Sequence, residues 1–243
     1  MSPGPAAGPF EILYRDDRLL AVNKPAGVHV HRSEFAPDEP AVVEQLTAQT
    51  GLKLFPVHRL DRPTSGVLLF ALDHEAASAL GKAFQERRVE KRYEALVRGW
   101  APDVVATTPV QPDRKIKQWL DAETQFRLLV CYETPWPRRG FGTFRLSLVE
   151  ARPVTGRRHQ IRQHLDDLRH PILGDTVWGD TGLNNWLAGV WSPLGLQLWC
   201  RALTVPHPDT GVELTLRANL PVDDLQRLEA LARDFLAKPE ALL

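Results

Sequence analysis

Cysteine is nearly absent from the chain: Cys131 and Cys200 are the only two among 243 residues. With no CxxC or Cys/His spacing, they exclude a disulfide framework and a structural zinc site, and a reducing cytoplasm is the simplest home. Net charge is lacking too, because thirty Lys and Arg balance thirty Asp and Glu, so any footprint for a polyanion has to be local. No uncharged run is long enough to span a bilayer, and "MSPGPAAGPF" holds no basic stretch leading into an apolar segment. Neither a membrane-embedded protein nor a standard secretory signal is expected. Glycine-rich phosphate loops of the GxGxxG or GxxxxGK types are missing, which argues against nucleotide-dependent chemistry, and no HExxH-like metal pattern occurs. What is present is 43% hydrophobic residues, enough for the substantial core of an ordered globular protein.

Met1 to Pro9 consists largely of Pro, Gly and Ala and reads as a mobile tail, with the fold starting at Phe10. "FEILY" and "LLAVN" flank "RDDR" as a hairpin would, and "KPAG" ends the second strand. Ala41 to Gly51 reads as a short helix and "VLLFAL" as a buried strand. Asp73 caps a helix with Ala77, Leu80 and Phe84 on one face. "VEKRYEALVRG" alternates as a half-buried strand. From Ala101 to Gly140 prolines multiply and periodicity weakens, so irregular structure or an insertion around "DRKIKQW" is expected. "FGTFRLSLVEA" resumes alternation, and "RRHQIRQHLDDLRH" follows with Ile161, Leu165 and Leu168 at helical spacing. Two strands, "LQLWCRALTV" and "VELTLR", and a helix with Leu225, Leu228, Ala232 and Phe235 complete the chain. Hairpins mixed with scattered helices favour an α+β domain with a mainly antiparallel sheet.

Three segments carry candidate chemistry. "HRLDRPTSG" places Asp61 among cations on a loop that Pro63 stiffens, Thr64 and Ser65 can hydrogen-bond, and Gly66 lets turn or approach closely. An Asp among arginines is ordinarily a surface ion pair worth about 0–1 kcal/mol. On a shaped loop, cations nearby keep such a carboxylate ionised and able to act as nucleophile or base. The second segment, Arg152 to His170, holds five arginines and three histidines. Arg157, Arg158 and Arg162 gather after Gly156, where a helix N-terminus already favours an anion, so phosphate or a catalytic carboxylate would supply the missing charge. The third, Lys82 to Arg98, has six Lys and Arg against three Glu and includes Tyr93, a core aromatic or a base-stacking one. His58, His159 and His164 read first as structural hydrogen-bonders, with an acid/base or metal role as the alternative.

In order along the chain, "AVNKPAGVHVHRS", "HRLDRPTSG", "KRYEALVRG" and "TGRRHQIRQHL…HPILGD" resemble four motifs of the RluA family of RNA pseudouridine synthases, over roughly Phe10 to Leu220. The resemblance implies the pseudouridine synthase fold, a mixed and mainly antiparallel sheet flanked by helices and loops with a catalytic cleft across it. It implies one catalytic domain over residues 10–243 without an S4-type RNA-binding domain. Carried over residue by residue, Asp61 is the catalytic carboxylate, Tyr93 contacts the target base, and Arg162 pairs with the aspartate. Arg59, His58, Arg62, Thr64, Arg157, Arg158, His159, Lys91 and Arg92 are the expected RNA-binding residues. The reaction rearranges one nucleoside internally, so no cofactor and no metal are expected. The partner is RNA, first of all tRNA at uridine 65 in the T-stem region, with ribosomal RNA as the alternative. A monomer with no membrane and no nucleotide cofactor is expected. A non-catalytic RNA-binding protein and a ribonuclease using His58 and His159 are the readings outside this class. One departure stands out: Leu198-Trp199-Cys200 replaces the Leu-His-Ala common in relatives.

Overall fold

The computed structural model describes residues 9–31, 39–112, 118–191, 195–219 and 230. The expected tail before residue 9, most of "DRKIKQW", and the expected last helix lie outside these residues, apart from Ala230. In chain order the elements are β1 (Glu11–Arg15), β2 (Leu19–Lys24), α1 (Val42–Thr50), β3 (Phe55–Pro56), β4 (Ser65–Ala71), α2 (His74–Gln85) and β5 (Glu90–Arg98). They continue with β6 (Val104–Ala106), β7 (Thr124–Thr134), β8 (Phe144–Pro153), α3 (Gln160–Asp167), α4 (Thr181–Val190), β9 (Leu198–Pro206) and β10 (Glu213–Arg217). Strands and helices are interspersed, the α+β pattern expected. The described residues gather into two compact units, the first taking residues up to Lys91 together with Cys200–Ala218, the second taking Arg92–Trp199.

In the first unit the strands run β1-β2-β4-β9, with β3 beside β4 and β10 beside β9. The expected hairpin forms: Glu11 pairs with Asn23 and Arg15 with Leu20. Leu19 to Val22 and Val67 to Ala71 are all 0% exposed, so these two central strands make the core of the unit. Asp73 caps α2 as expected, its Oδ1 accepting the Ala76 N–H at 2.9 Å. Leu80 of the expected α2 face is buried as anticipated, but its buried neighbours are Ala76 and Ala83, with Ala77 and Phe84 half-buried at the margin. Helix α1 begins with Glu44 reaching back to the Ala41 N–H (2.8 Å) and ends at Gly51 in the left-handed region.

The second unit orders its strands β5-β8-β7-β6, antiparallel throughout. Successive residues of β5 feed opposite layers: Ala95 and Val97 join Ile161 and Leu165 of α3, whereas Leu96 joins Leu183 and Leu187 of α4 together with Trp136 and Trp191. Helices thus cover both faces, and β5 is buried on both sides from Glu94 to Val97 instead of half-buried. The 101–140 stretch is not irregular throughout, because it contains β6 and the eleven-residue β7. A bulge between Leu128 and Val130 shifts the β7 register and interrupts the two-residue alternation that would have revealed the strand.

Candidate active site

Asp61 opens a tight turn, closed by the Thr64 N–H donating to its carbonyl at 3.0 Å, just ahead of β4. The loop is fastened to the "KPAG" segment. Gly27 N–H donates to the Arg62 carbonyl (2.8 Å), Arg62 Nε donates to the Gly27 carbonyl (2.8 Å), and Arg62 Nη2 reaches Glu39 (2.8 Å). The guanidinium next in sequence to the carboxylate is therefore occupied with anchoring the loop. Thr64 is buried, and Gly66 sits at φ +111, where a Cβ would run into the Cys200 carbonyl. Both the dihedral and the close approach anticipated at Gly66 are present. Asp61 itself is half-buried and Arg59 is exposed.

Beneath this loop lies a residue that the sequence reading passed over. Lys24, at the end of β2, is 0% exposed, and its ammonium donates to the carbonyls of Pro25 (2.8 Å) and Arg62 (3.2 Å). Burial pulls its pKa down to about 8, while the Asp61 carboxylate works in the opposite direction, so the two groups share an electrostatic environment. The available signal was positional: the apolar run Leu19–Val22 of β2 is followed, after Asn23, by a lysine set in front of a proline, and a lysine ending a buried strand needs partners.

His58 faces inward. Its Nε2 accepts the Leu69 N–H at 3.0 Å and its ring stacks on Phe84 with centroids 5.4 Å apart. Burial, then the charge of Lys91, pushes its pKa down to about 4, so the ring stays neutral. Lys91, half-buried, is likewise lowered, by burial first.

In the second unit Tyr93 is half-buried on β5, paired with Ala151 and packed against the layer that holds α3. Arg92 lies near Glu150 (3.6 Å) and Glu94 (3.8 Å); Arg127 and Arg152 also converge on the buried Glu150. Arg162 differs from the exposed Arg157 and Arg158 with which the sequence grouped it. It turns inward to 3% exposure and grips Asp175 with Nε (2.6 Å) and Nη2 (2.8 Å). Asp175 also accepts the N–H groups of Val177 and Trp178. Burial alone would raise its pKa, yet the Arg162 contacts and these N–H groups outweigh burial and hold it below the usual carboxylate range. Asn184 buttresses the arrangement, accepting from Gly174 N–H and donating to the Asp175 carbonyl.

The arginine loop is shaped by two glutamines that sequence reasoning missed. Gln160 donates to the Glu123 carbonyl and Thr124 and accepts from Thr155 and the Arg157 N–H, while Gln163 bridges Gln111 and the Arg158 carbonyl. His159 takes a left-handed conformation (φ 56) at the start of α3, and its Nδ1 accepts Trp178 Nε1–H at 3.0 Å. Among the described residues no three His, Cys, Asp or Glu side chains gather as a metal site would require. No helix there is long and apolar enough to cross a membrane.

The RNA pseudouridylate synthase family profile matches residues 18–167, a span that includes the Asp61 loop, Tyr93 and Arg162. The chain belongs to the RNA pseudouridylate synthase family. A relative from Salmonella typhimurium named tRNA pseudouridine synthase C is 44% identical over 230 residues, covering 90% of this chain and 88% of the relative. A protein of the same name from Vibrio cholerae is 42% identical over 222 residues, covering 87% and 91%. Among solved structures, Human RNA Pseudouridylate Synthase Domain Containing 1 is similar with a TM-score of 0.72 and 25% identity, covering 100% of this chain and 96% of that one. Human RNA Pseudouridylate Synthase Domain Containing 4 has a TM-score of 0.68 at 28% identity, covering 90% and 92%. The family fold anticipated from the four motifs is therefore the fold of this chain.

Proposed function

We propose that the protein isomerises uridine to pseudouridine in tRNA, with Asp61 as the catalytic carboxylate, Tyr93 as the contact for the target base and Arg162 as the cation serving the aspartate. The observation that carries this reading is the built environment of Asp61: a turn anchored through Arg62 and Gly66, with the buried Lys24 ammonium close enough to feel its charge. A solvated surface pair needs no such construction. In the reaction the N1–C1′ bond breaks and a C5–C1′ bond forms. The C5 proton leaves and N1 gains one, so the atoms balance without a cofactor or metal. The base must first leave its stack, at a cost of a few kcal/mol. Arg59, Lys91, Arg157 and Arg158 supply cations for the RNA backbone, and Arg162 is held in one orientation by Asp175. The enzyme acts as a monomer in the cytoplasm, and uridine 65 of the T-stem region is the expected target.

The names of the relatives favour tRNA over ribosomal RNA. A ribonuclease would need His58 as a proton donor, which a neutral ring with Nε2 already accepting from Leu69 serves poorly. The test is to incubate the purified protein with unmodified tRNA and with ribosomal RNA fragments, then map pseudouridine at nucleotide resolution. One modified uridine in intact tRNA is expected. Modification confined to ribosomal RNA would move the substrate, cleaved RNA would point to a nuclease, and intact unmodified RNA would leave a binding protein.

A further inference from the structure

The tip of the β7–β8 hairpin carries a feature that the uridine chemistry does not use. Arg98, Arg138, Arg139 and Arg145 line a cleft of about 380 Å³ together with Phe141 and Thr143, a volume within the usual range for small-ligand sites. Four guanidiniums there face two carboxylates. Arg98 and Arg138 share Asp180 (3.1 and 3.9 Å), and Arg145 approaches Glu133 at 3.5 Å. The excess is positive, and burial together with the charges of Arg139 and Arg98 disfavours the cation of Arg138 more than Asp180 relieves it. Two of the cations are aimed by aromatic rings, Arg145 lying 4.0 Å over Trp100 and Arg138 lying 5.4 Å over Trp186. Phe141, by contrast, has 74% of its surface bare. The turn that presents it is closed by reciprocal Arg138–Phe141 backbone bonds at 3.0 Å, and it holds Arg139 at φ 51 and Gly140 at φ 83. That pair of left-handed residues normally selects Asn-Gly; an arginine kept there in spite of its Cβ points to a role for the guanidinium.

We propose that this cleft is a second RNA grip, taking a backbone phosphate among its arginines while an unpaired base stacks on Phe141. It rests on the reading of the protein as an RNA-modifying enzyme. A phosphate supplies the charge that the guanidiniums lack, and an exposed aromatic beside a cationic groove is the arrangement that holds single-stranded nucleotides. The cleft lies at the far end of β5 from Tyr93, about 17 Å away at roughly 3.3 Å per residue, and the odd spacing of Tyr93 and Arg98 turns their side chains to opposite faces. It therefore takes a different part of the RNA from the target uridine.

The test compares wild type with Arg139→Asn, which keeps the left-handed turn, with Phe141→Ala, and with the double variant. Two substrates are used: full-length tRNA, and a minimal hairpin reaching roughly three base pairs either side of the target at about 3.4 Å per step. The double variant is expected to raise KM for tRNA about tenfold with kcat unchanged, and to lower the slope of log Kd against log salt by about one. KM for the hairpin should not move. An unchanged KM on tRNA, or an equal rise with both RNAs, would overturn the second grip. If wild type binds tRNA but forms no pseudouridine, the functional reading fails alone, and the Kd ratio between wild type and variants still decides the cleft.

Discussion

Two buried cations, one in each unit, are stabilised by opposite means. Lys24 sits at 0% exposure against two backbone carbonyls, with the Asp61 charge nearby as a partial offset, and its pKa falls to about 8. Arg162, at 3% exposure, is forked onto Asp175 through two short charged hydrogen bonds, and Asp175 is itself satisfied by backbone N–H groups. A lysine held by neutral dipoles remains titratable, whereas an arginine matched to a carboxylate stays charged and keeps one orientation. The unit with Asp61 therefore contains an adjustable cation, and the unit with Tyr93 a permanent one.

The largest effect is expected from breaking the permanent pair. Arg162→Ala leaves Asp175 buried without its partner and should cost about 3–5 kcal/mol in urea unfolding, with catalysis lost as well. Arg162→Lys keeps the charge without the fork and should fall between wild type and Arg162→Ala. A loss below about 1 kcal/mol for Arg162→Ala would mean that the two N–H groups suffice for Asp175.

A smaller, pH-dependent effect is expected from the adjustable cation. The folded state holds the Lys24 pKa at about 8, whereas an unfolded lysine titrates near 10.4. Between those values the unfolded chain binds more protons, so this group makes stability rise as pH increases from about 8 to about 10. Urea melts across that window should show a steeper rise for wild type than for Lys24→Met, in which the half-buried Lys91 is left to supply the remaining slope. Parallel curves would place the Lys24 pKa near its ordinary value and end the contrast with Arg162.

Much of this was legible where chemistry is local. The β1–β2 hairpin, the Asp73 cap and the buried β4 follow from turn residues, capping and apolar runs. The Asp61 loop announced itself through Pro63, Thr64 and Gly66. Strand β7 stayed hidden because its bulge breaks the alternation, and α4 because Gly182, Asn184, Asn185 and Gly189 weaken a helix whose Leu183 and Leu187 do face the core. The grip of Arg162 on Asp175 spans thirteen positions and is created by the turn after α3, so no periodicity encodes it. Lys24 escaped for the reverse reason: its partners are backbone carbonyls, which leave no mark in side-chain composition.

The central claim is that Asp61 performs the chemistry, and the most direct measurement is pseudouridine formation in tRNA by Asp61→Asn, with binding of the same RNA followed in parallel. The account predicts no pseudouridine at unchanged affinity. Pseudouridine formed by Asp61→Asn at a rate near that of wild type would contradict it.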